Sequence, residues 1–296
     1  MTSMELRQIT RDDRMAVREL CLAALDPADT VDLDYLEAVL WEAGGKSGFV
    51  AADGSGMLGV IFGTVGPDED GTVAGAVTLL AVAEGHRRTG VGTALLQQLE
   101  RRLAASGAVE MWSGGGQPRF WWPGINEADT GTVRFFGHAG YTFDDDAVNM
   151  TVDLDQADLT SAAPAGIILR RVLPSEWPAF LRWMEATWDD PWGEEVSTTL
   201  RREPVSCFVA TRDGEYLGFA AYDTNRRGWF GPMGSRPEAR GTGIGSALLK
   251  LCLKDYVDRG DSTCEIGWVG PFDFYTNAVG AVPGRRFLRL RKELAQ

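Results

Sequence analysis

A glycine-rich segment of ten residues occurs twice in this chain, and it constrains the fold more than any other feature. The copies read Arg87-Arg88-Thr89-Gly90-Val91-Gly92-Thr93-Ala94-Leu95-Leu96 and Arg240-Gly241-Thr242-Gly243-Ile244-Gly245-Ser246-Ala247-Leu248-Leu249, so Arg87 lies 153 residues before Arg240. Each copy follows an apolar, strand-like run and opens a pattern of apolar residues at helical spacing. The sequence therefore predicts one strand, turn and helix unit that the chain uses twice.

The chemistry of this turn favours a phosphate ligand. Glycine at a strand-to-helix turn lets the backbone approach a ligand closely, and the unpaired N–H groups of the first helical turn attract an anion. A dinucleotide-binding fingerprint needs a small residue where the chain has Leu95 and Leu248, and a P-loop needs a lysine that neither copy contains. We therefore interpret residues 87–93 and 240–246 as two pyrophosphate-binding turns, termed cradles.

The rest of the chain repeats together with the cradles. Residues 49–59 match residues 208–218 without a gap, and Cys264-Glu265-Ile266 matches Val109-Glu110-Met111. A period this long indicates a domain duplication, because solenoid repeats are much shorter.

We expect domains at residues 1–155 and 167–296, joined by a linker at 156–166 that is rich in Ala, Asp, Ser and Pro. At the end of the first domain, Tyr141–Phe143 and Met150–Leu154 are predicted to form two separate strands, the latter at a sheet edge.

The pattern Arg-x-x-Gly-x-Gly at mid-domain resembles the acyl-CoA loop of the GNAT superfamily of N-acetyltransferases, and the resemblance covers nearly the whole chain. It implies an α/β fold of the α+β type, in which two tandem GNAT domains each have a mixed, mostly antiparallel central sheet flanked by helices. It also implies acetyl-CoA as cofactor, with pantetheine paired to the strand before each cradle. The cofactor-binding residues that the resemblance implies are Leu80, Val82, Arg87, Arg88, Thr89, Gly90, Val91, Gly92 and Thr93, and Met233, Ser235, Arg240, Gly241, Thr242, Gly243, Ile244, Gly245 and Ser246.

The resemblance also implies the chemistry, which is direct attack of an amine on the thioester. The family's general acid is usually a Tyr in Phe-Tyr-x-x-x-Gly, and the second domain has Phe274-Tyr275 before Gly280, one residue further along than in that motif. The first domain has Phe136 at the Tyr position. Tyr275 is therefore the predicted acid, and the alternative is a ring that only packs its helix on the sheet.

The general base is predicted less directly. Glu265 lies on the strand beside the cradle strand, and Glu110 is its counterpart in the first domain. Either carboxylate could take a proton through water, so Glu265 is the predicted base. The alternative is a carboxylate on the solvent face of its strand.

The segment between the first two helices of the second domain is the predicted substrate site. In GNAT proteins this region helps form the acceptor pocket, and in this chain it contains Trp188, Asp189, Asp190 and Trp192. Aromatic rings beside carboxylates suit an ammonium group. The alternative is a capped turn with buried tryptophans.

The composition of the chain limits the classes of substrate and partner that it can be expected to bind. The net charge is −13, and residues 1–160 carry −14 whereas residues 161–296 carry +1. Such acidity disfavours nucleic acid and suits a cationic amine, although it could serve solubility alone. The spacing of the four cysteines and two histidines indicates neither disulfides nor a metal site. With no signal peptide or membrane-spanning run, we expect a cytoplasmic monomer or homodimer.

These observations lead to one main functional hypothesis and two alternatives. The main hypothesis is an acetyl-CoA-dependent N-acetyltransferase acting on a primary amine of a small molecule, with the second domain catalytic. In one alternative the first domain is catalytic and the second is degenerate. In the other, the chain is a non-catalytic acyl-CoA sensor or scaffold that keeps both cradles.

Overall fold

Strands and helices follow the apolar patterns of the sequence closely. The computed structural model describes residues 4–41, 46–68, 71–116, 119–188 and 192–294. Its elements fall into two compact units, which are Met1–Ala147 with Phe287–Gln296, and Val148–Arg286. The predicted domain boundaries at 155 and 167 follow the sequence repeat. The two units instead divide the chain after Ala147 and after Arg286, and the predicted boundaries stay a prediction.

In chain order, the elements up to the linker are β1 Glu5–Gln8, α1 Arg14–Ala24, α2 Leu33–Trp41, β2 Lys46–Asp53, β3 Gly56–Pro67, β4 Val73–Val82, α3 Val91–Ala104, β5 Glu110–Trp112, β6 Ile125–Asn126, α4 Thr130–His138 and β7 Thr142–Asp153. After the linker they are β8 Ile168–Arg171, α5 Trp177–Thr187, α6 Trp192–Thr199, β9 Cys207–Arg212, β10 Glu215–Tyr222, β11 Trp229–Ser235, α7 Ile244–Asp258, β12 Thr263–Ile266, α8 Phe272–Val279 and β13 Val282–Glu293.

The sheet of the first unit has the order β1-β2-β3-β4-β5, followed by the last part of β13, which pairs with β5 and β6. In the second unit the order is β8-β9-β10-β11-β12, followed by the last part of β7. The pairs β4·β5 and β11·β12 are parallel, and the other pairs in these two orders are antiparallel. The predicted fold, a mixed and mostly antiparallel sheet flanked by helices, is confirmed.

The prediction of two separate strands at Tyr141–Phe143 and Met150–Leu154 was wrong. The structure has one strand, β7, which continues through Asp144–Asp146. This acidic run lacks the apolar alternation of a half-buried strand, but arginines of β13 neutralise it, since Arg289 contacts Asp145 at 2.8 Å and Arg291 contacts Asp144 at 3.1 Å. The acidic run is therefore accompanied by ion pairs with a distant part of the sequence.

Both faces of each sheet are covered. In the first unit α3 and α4 pack over one apolar cluster that includes Leu95 and Phe136, while α1 and α2 pack over a second that includes Leu36 and Leu79. In the second unit α7 and α8 cover the corresponding first face, and α5 and α6 cover the other. A cofactor that enters beside the cradle strand therefore has a helix layer on either side.

Candidate functional site

The strand before each cradle is paired on both sides for only part of its length. Among the described residues, β4 pairs with β5 at Ala74–Ala76 alone, while its pairing with β3 continues to Val82. Likewise β11 pairs with β12 at Trp229–Phe230 alone, while its pairing with β10 continues to Ser235. The half of the strand nearest the cradle therefore has one free edge in each unit.

A β-bulge marks the point where this free edge begins. Thr78 is an extra residue in β4, between the pairs that join Val77 to Gly63 and Leu79 to Phe62. In β11 the two residues Gly231–Pro232 face the single residue Ala221. A bulge bends its strand and ends regular pairing, so both cradle strands turn away from their parallel neighbours at matched positions.

Backbone groups on the free edge point outward. The Ala83 N–H donates to the Leu58 carbonyl at 2.9 Å, and the Arg236 N–H donates to the Leu217 carbonyl at 2.9 Å. Because successive residues of a strand direct their backbone groups to opposite sides, the residues one and three positions earlier present theirs to the free edge. These residues are Leu80, Val82, Met233 and Ser235. The arrangement suits the predicted pairing with pantetheine.

The two cradles have the same backbone shape. Gly90 has φ 93° and Gly243 has φ 87°, both left-handed. Two residues earlier, Arg88 has φ 61° and Gly241 has φ 74°. The left-handed backbone at position 90 favours glycine. Lack of space is not the reason, since an added Cβ there would meet nothing within 4 Å.

Each cradle leads into a helix whose first turn has no side-chain cap. Thr89 Oγ1 donates to the His86 carbonyl at 2.7 Å, and Thr242 Oγ1 donates to the Ala239 carbonyl at 2.6 Å, so these hydroxyls brace the turn. The first-turn N–H groups lack intrahelical acceptors and carry the positive end of the helix dipole. They belong to Val91, Gly92, Thr93, Ile244, Gly245 and Ser246. This donor set fits a pyrophosphate.

The first arginine of each cradle has different surroundings in the two units. Arg87 donates to the Ala24 carbonyl at 2.9 Å and to the Val82 carbonyl at 3.2 Å, which ties the end of α1 to the cradle strand. Arg240 is exposed, its backbone N–H donates to the Pro237 carbonyl at 3.2 Å, and its guanidinium has no hydrogen bond or ion pair within the described part of the chain. Arg240 is thus available to an anion, whereas Arg87 already has two acceptors.

The helix after the parallel strand packs on the cradle helix in the same way in both units. A Cβ on Gly92 would lie 3.4 Å from the Phe135 ring, and a Cβ on Gly245 would lie 3.4 Å from the Phe274 ring. Phe135 therefore corresponds to Phe274, and the next residues, Phe136 and Tyr275, also correspond.

Tyr275 is buried but its hydroxyl accepts and donates no hydrogen bond among the described residues. Its ring centroid lies 4.9 Å from that of Phe274 and 6.3 Å from that of Phe230. Removal from water raises the pKa of Tyr275 to about 12, so the hydroxyl keeps its proton at neutral pH. Phe136 occupies the same place in the first unit, 2% exposed, and carries no proton to give.

The two candidate bases are both held by arginine. Glu265 accepts hydrogen bonds from Arg285 at 2.9 and 2.7 Å and from Asn149 at 2.6 Å. Glu110 accepts from Arg291 at 2.9 Å and from Trp112 at 2.8 Å. These contacts fix the two carboxylates in place, and the role of Glu265 as a base stays a prediction.

The units differ most in the connection between the parallel strand and the next helix. In the first unit residues 113–129 form this connection, whereas residues 267–271 suffice in the second. A Cβ on Gly116 would lie 2.7 Å from the Ala76 side chain, and Trp121, 2% exposed, joins the apolar cluster that contains Leu79 and Ala81. Gly116 and Trp121 of this connection therefore lie on the α1–α2 face of β4.

Trp188, which directly follows α5, and Trp192, the first residue of α6, lie on the corresponding face of the second unit. A Cβ on Gly234 would lie 2.7 Å from the Trp188 ring, so Trp188 rests directly on the cradle strand. The rings of Trp188 and Trp192 lie 5.3 and 5.9 Å from that of Phe219. Of the predicted substrate residues these two come together, and Asp189 and Asp190 lie outside the described residues.

No helix among the described residues is both long and apolar enough to cross a membrane. In that same part of the chain, no group of three or more His, Cys, Asp or Glu side chains is arranged to hold a metal ion.

Comparison with protein families identifies both halves of the chain. The model of the acetyltransferase (GNAT) family matches residues 11–143 and 170–274. An uncharacterized N-acetyltransferase of Archaeoglobus fulgidus is 35% identical over 82 residues, which cover 24% of this chain. The match spans 53%, or about half, of the length of that curated relative.

Solved structures resemble the whole chain. A tandem GNAT protein from the clavulanic acid biosynthesis pathway, solved without AcCoA, has a TM-score of 0.72 at 19% identity, and the match covers 99% of both chains. A glucosamine N-acetyltransferase region of a fungal multi-domain GH3 β-N-acetylglucosaminidase has a TM-score of 0.79 at 19% identity, with 99% of this chain and 38% of that chain covered. At these identities the likeness is one of fold. Together with the two matched regions, it establishes that this chain belongs to the GNAT acetyltransferase family and carries two GNAT domains in tandem.

Proposed function

We propose that the protein is an acetyl-CoA-dependent N-acetyltransferase that acetylates a primary amine of a small molecule, and that transfer occurs in the second unit. The first unit binds CoA through its own cradle without transferring the acetyl group. Family membership supports the reaction class, and the differences between the units support this division of roles.

The residues around the second cradle fit acetyl-CoA. When bound, this cofactor supplies a thioester that an amine can attack. The free edge at Met233 and Ser235 offers backbone donors and acceptors to pantetheine. The first turn of α7, with Arg240 beside it, offers N–H donors and a positive charge to pyrophosphate.

Tyr275 carries the assignment of catalysis to the second unit. A buried hydroxyl with a pKa of about 12 stays protonated at neutral pH and would donate its proton to the sulfur that leaves acetyl-CoA, so that a neutral thiol rather than a thiolate departs. Phe136 cannot do this in the first unit. The sequence also predicted Glu265 as the acceptor of the proton that the amine releases; its carboxylate is already held by Asn149 and Arg285, and the proposed function does not depend on that role.

The acceptor side of the second unit supports a cationic or sugar-like amine. Trp188 and Trp192 offer aromatic faces beside the cradle strand, and Glu195, also on α6, is 9% exposed. Aromatic faces attract an ammonium group and also stack on apolar faces of sugars. The fungal relative that is described as a glucosamine N-acetyltransferase makes glucosamine a rational first candidate.

Thiol release from acetyl-CoA tests the proposal. The full chain is incubated with acetyl-CoA and a panel that contains glucosamine, polyamines, aminoglycosides and acidic amino acids. The proposal expects release that depends on one class of amine, with a matching acetylated product by mass spectrometry. A sensor or scaffold would bind acetyl-CoA and release no thiol with any amine, a result that would contradict the proposal.

A further inference from the structure

A fully buried amide connects the predicted base to the turn that precedes α8. Asn149 lies in the part of β7 that belongs to the second unit and is 0% exposed. Buried amides need partners for both their N–H and C=O groups, because an unmet polar group in the interior is destabilising. The partners of Asn149 therefore indicate what this residue does.

The two ends of the Asn149 amide have different partners. Its Nδ2 donates to Glu265 Oε1 at 2.6 Å, and its Oδ1 accepts from the Trp268 backbone N–H at 2.7 Å. A carboxylate can only accept, so Glu265 fixes which end of the amide faces it. The carbonyl end is consequently turned to Trp268. Arg285 holds Glu265 in place with two further hydrogen bonds, at 2.9 and 2.7 Å.

Trp268 needs such a restraint because of its backbone. Its φ is 46°, in the left-handed region that residues other than glycine rarely adopt. The next N–H, that of Val269, donates to the Val148 carbonyl at 2.8 Å. Two successive N–H groups of the turn 267–271 are thus anchored to Val148 and Asn149.

This turn leads directly into the helix that carries Tyr275. α8 begins at Phe272, one residue after the turn. The Tyr275 hydroxyl has no hydrogen bond in the described part of the chain, and its ring is located by contacts with Phe230 and Phe274. The position of the hydroxyl therefore depends on where the turn places the start of the helix.

No such link is present among the described residues of the first unit. There the longer connection 113–129 starts with Ser113, whose N–H donates to the Leu290 carbonyl at 2.9 Å and whose Oγ accepts from the Leu290 N–H at 3.0 Å. Glu110 keeps an arginine partner, Arg291, but its other donor is Trp112 rather than a buried amide. The amide link is found in the unit whose helix carries a tyrosine.

We propose that Asn149 and Glu265 are positioning residues that set the place of the Tyr275 hydroxyl through the turn 267–271. This inference rests on the proposed function, since it assumes that Tyr275 donates a proton during acetyl transfer. It assigns Glu265 a role that does not require a change in protonation.

A double-mutant cycle tests whether Asn149 acts through Tyr275. Asn149→Ala is expected to lower kcat by roughly 10- to 100-fold, because small displacements of catalytic groups have effects of that size, with the KM for acetyl-CoA within about twofold. In the Tyr275→Phe background the same change is expected to have little further effect, since the group that it positions is gone. Ser113→Ala, at the first-unit position that matches Trp268, removes an acceptor of the Leu290 N–H; it is the control and should leave kcat unchanged.

Glu265 variants provide a second test that does not depend on Asn149→Ala being folded. Glu265→Gln keeps an oxygen that accepts from Asn149, and it should retain about a third or more of the activity, whereas Glu265→Ala should lose as much as Asn149→Ala. Equal losses for Gln and Ala would indicate a base and overturn the inference, as would an undiminished effect of Asn149→Ala in the Tyr275→Phe background. If Tyr275→Phe alone keeps the wild-type rate, the proposed function has failed before this inference is reached.

Discussion

The two units share the backbone around the cradle and differ in what lies beyond it. Both have a bulge, a strand with a free edge, a left-handed glycine and an uncapped helix. In the first unit Phe136 and the loop 113–129 occupy the positions where the second has Tyr275 and the short turn 267–271. The shared part is the backbone that we propose binds CoA, and the part that differs contains Tyr275, the residue that we propose acts in transfer.

Exchange of aromatic residues on the helix after the parallel strand should give the largest kinetic effect. Tyr275→Phe is expected to lower kcat by about 10²–10⁴-fold, the usual contribution of a general acid, without weakening CoA binding. Phe136→Leu, the matched change in the first unit, should leave kcat unchanged. The rates come from thiol release and the affinities from calorimetry. A loss of less than roughly tenfold in Tyr275→Phe would return Tyr275 to a packing role.

The covering loop of the first unit should affect stability rather than rate. Trp121 is 2% exposed, so Trp121→Ala is expected to lower the free energy of unfolding by about 3–5 kcal/mol. Trp122→Phe removes the hydrogen bond to Asp29, 2.9 Å long, and should cost about 1 kcal/mol. Denaturant unfolding followed by circular dichroism measures both. A large drop in kcat for folded Trp121→Ala would place transfer in the first unit.

Salt should give the smallest effect, and it tests the charge contrast. Residues 1–160 carry −14 and should attract cationic amines over a distance that salt reduces from about 10 Å at 0.1 M to about 3 Å at 1 M. The apparent KM for a polyamine is therefore expected to rise by roughly threefold or more between these conditions. The control is the KM for an uncharged acceptor, such as an amino alcohol at a pH above the pKa of its amine. If the KM for the polyamine does not change with salt, the acidic residues contribute to solubility and do not attract the substrate.

Much of the frame could be predicted from the sequence because its signals are local. The two cradles and the helices that follow them, α3 and α7, lie where the glycines and the apolar spacing predict them. Residues with special backbone requirements, such as Gly90 and Gly243, are visible in a sequence because few other residues satisfy those requirements.

The remainder depends on contacts between residues far apart in the chain. From the sequence, Asp144–Asp146 is predicted to be a loop because it lacks apolar residues. In the structure Arg289 and Arg291 neutralise part of this acidic run. The exchange of the last parts of β7 and β13 between units has no local signal at all. For the contacts of Asn149 the sequence contains a weak signal. This residue is a single amide beside the apolar residues Val148 and Met150, which could have suggested a buried polar contact.

Binding stoichiometry and turnover, measured together on two cradle variants, test the central claim that both units bind CoA and one transfers. Gly90→Val and Gly243→Val each place a branched side chain at a left-handed position with φ near 90°. Calorimetry should give two CoA sites per wild-type chain and one in each variant. Turnover should survive in Gly90→Val and disappear in Gly243→Val. The account is contradicted if neither variant changes CoA binding, or if Gly90→Val is the one that abolishes acetyl transfer.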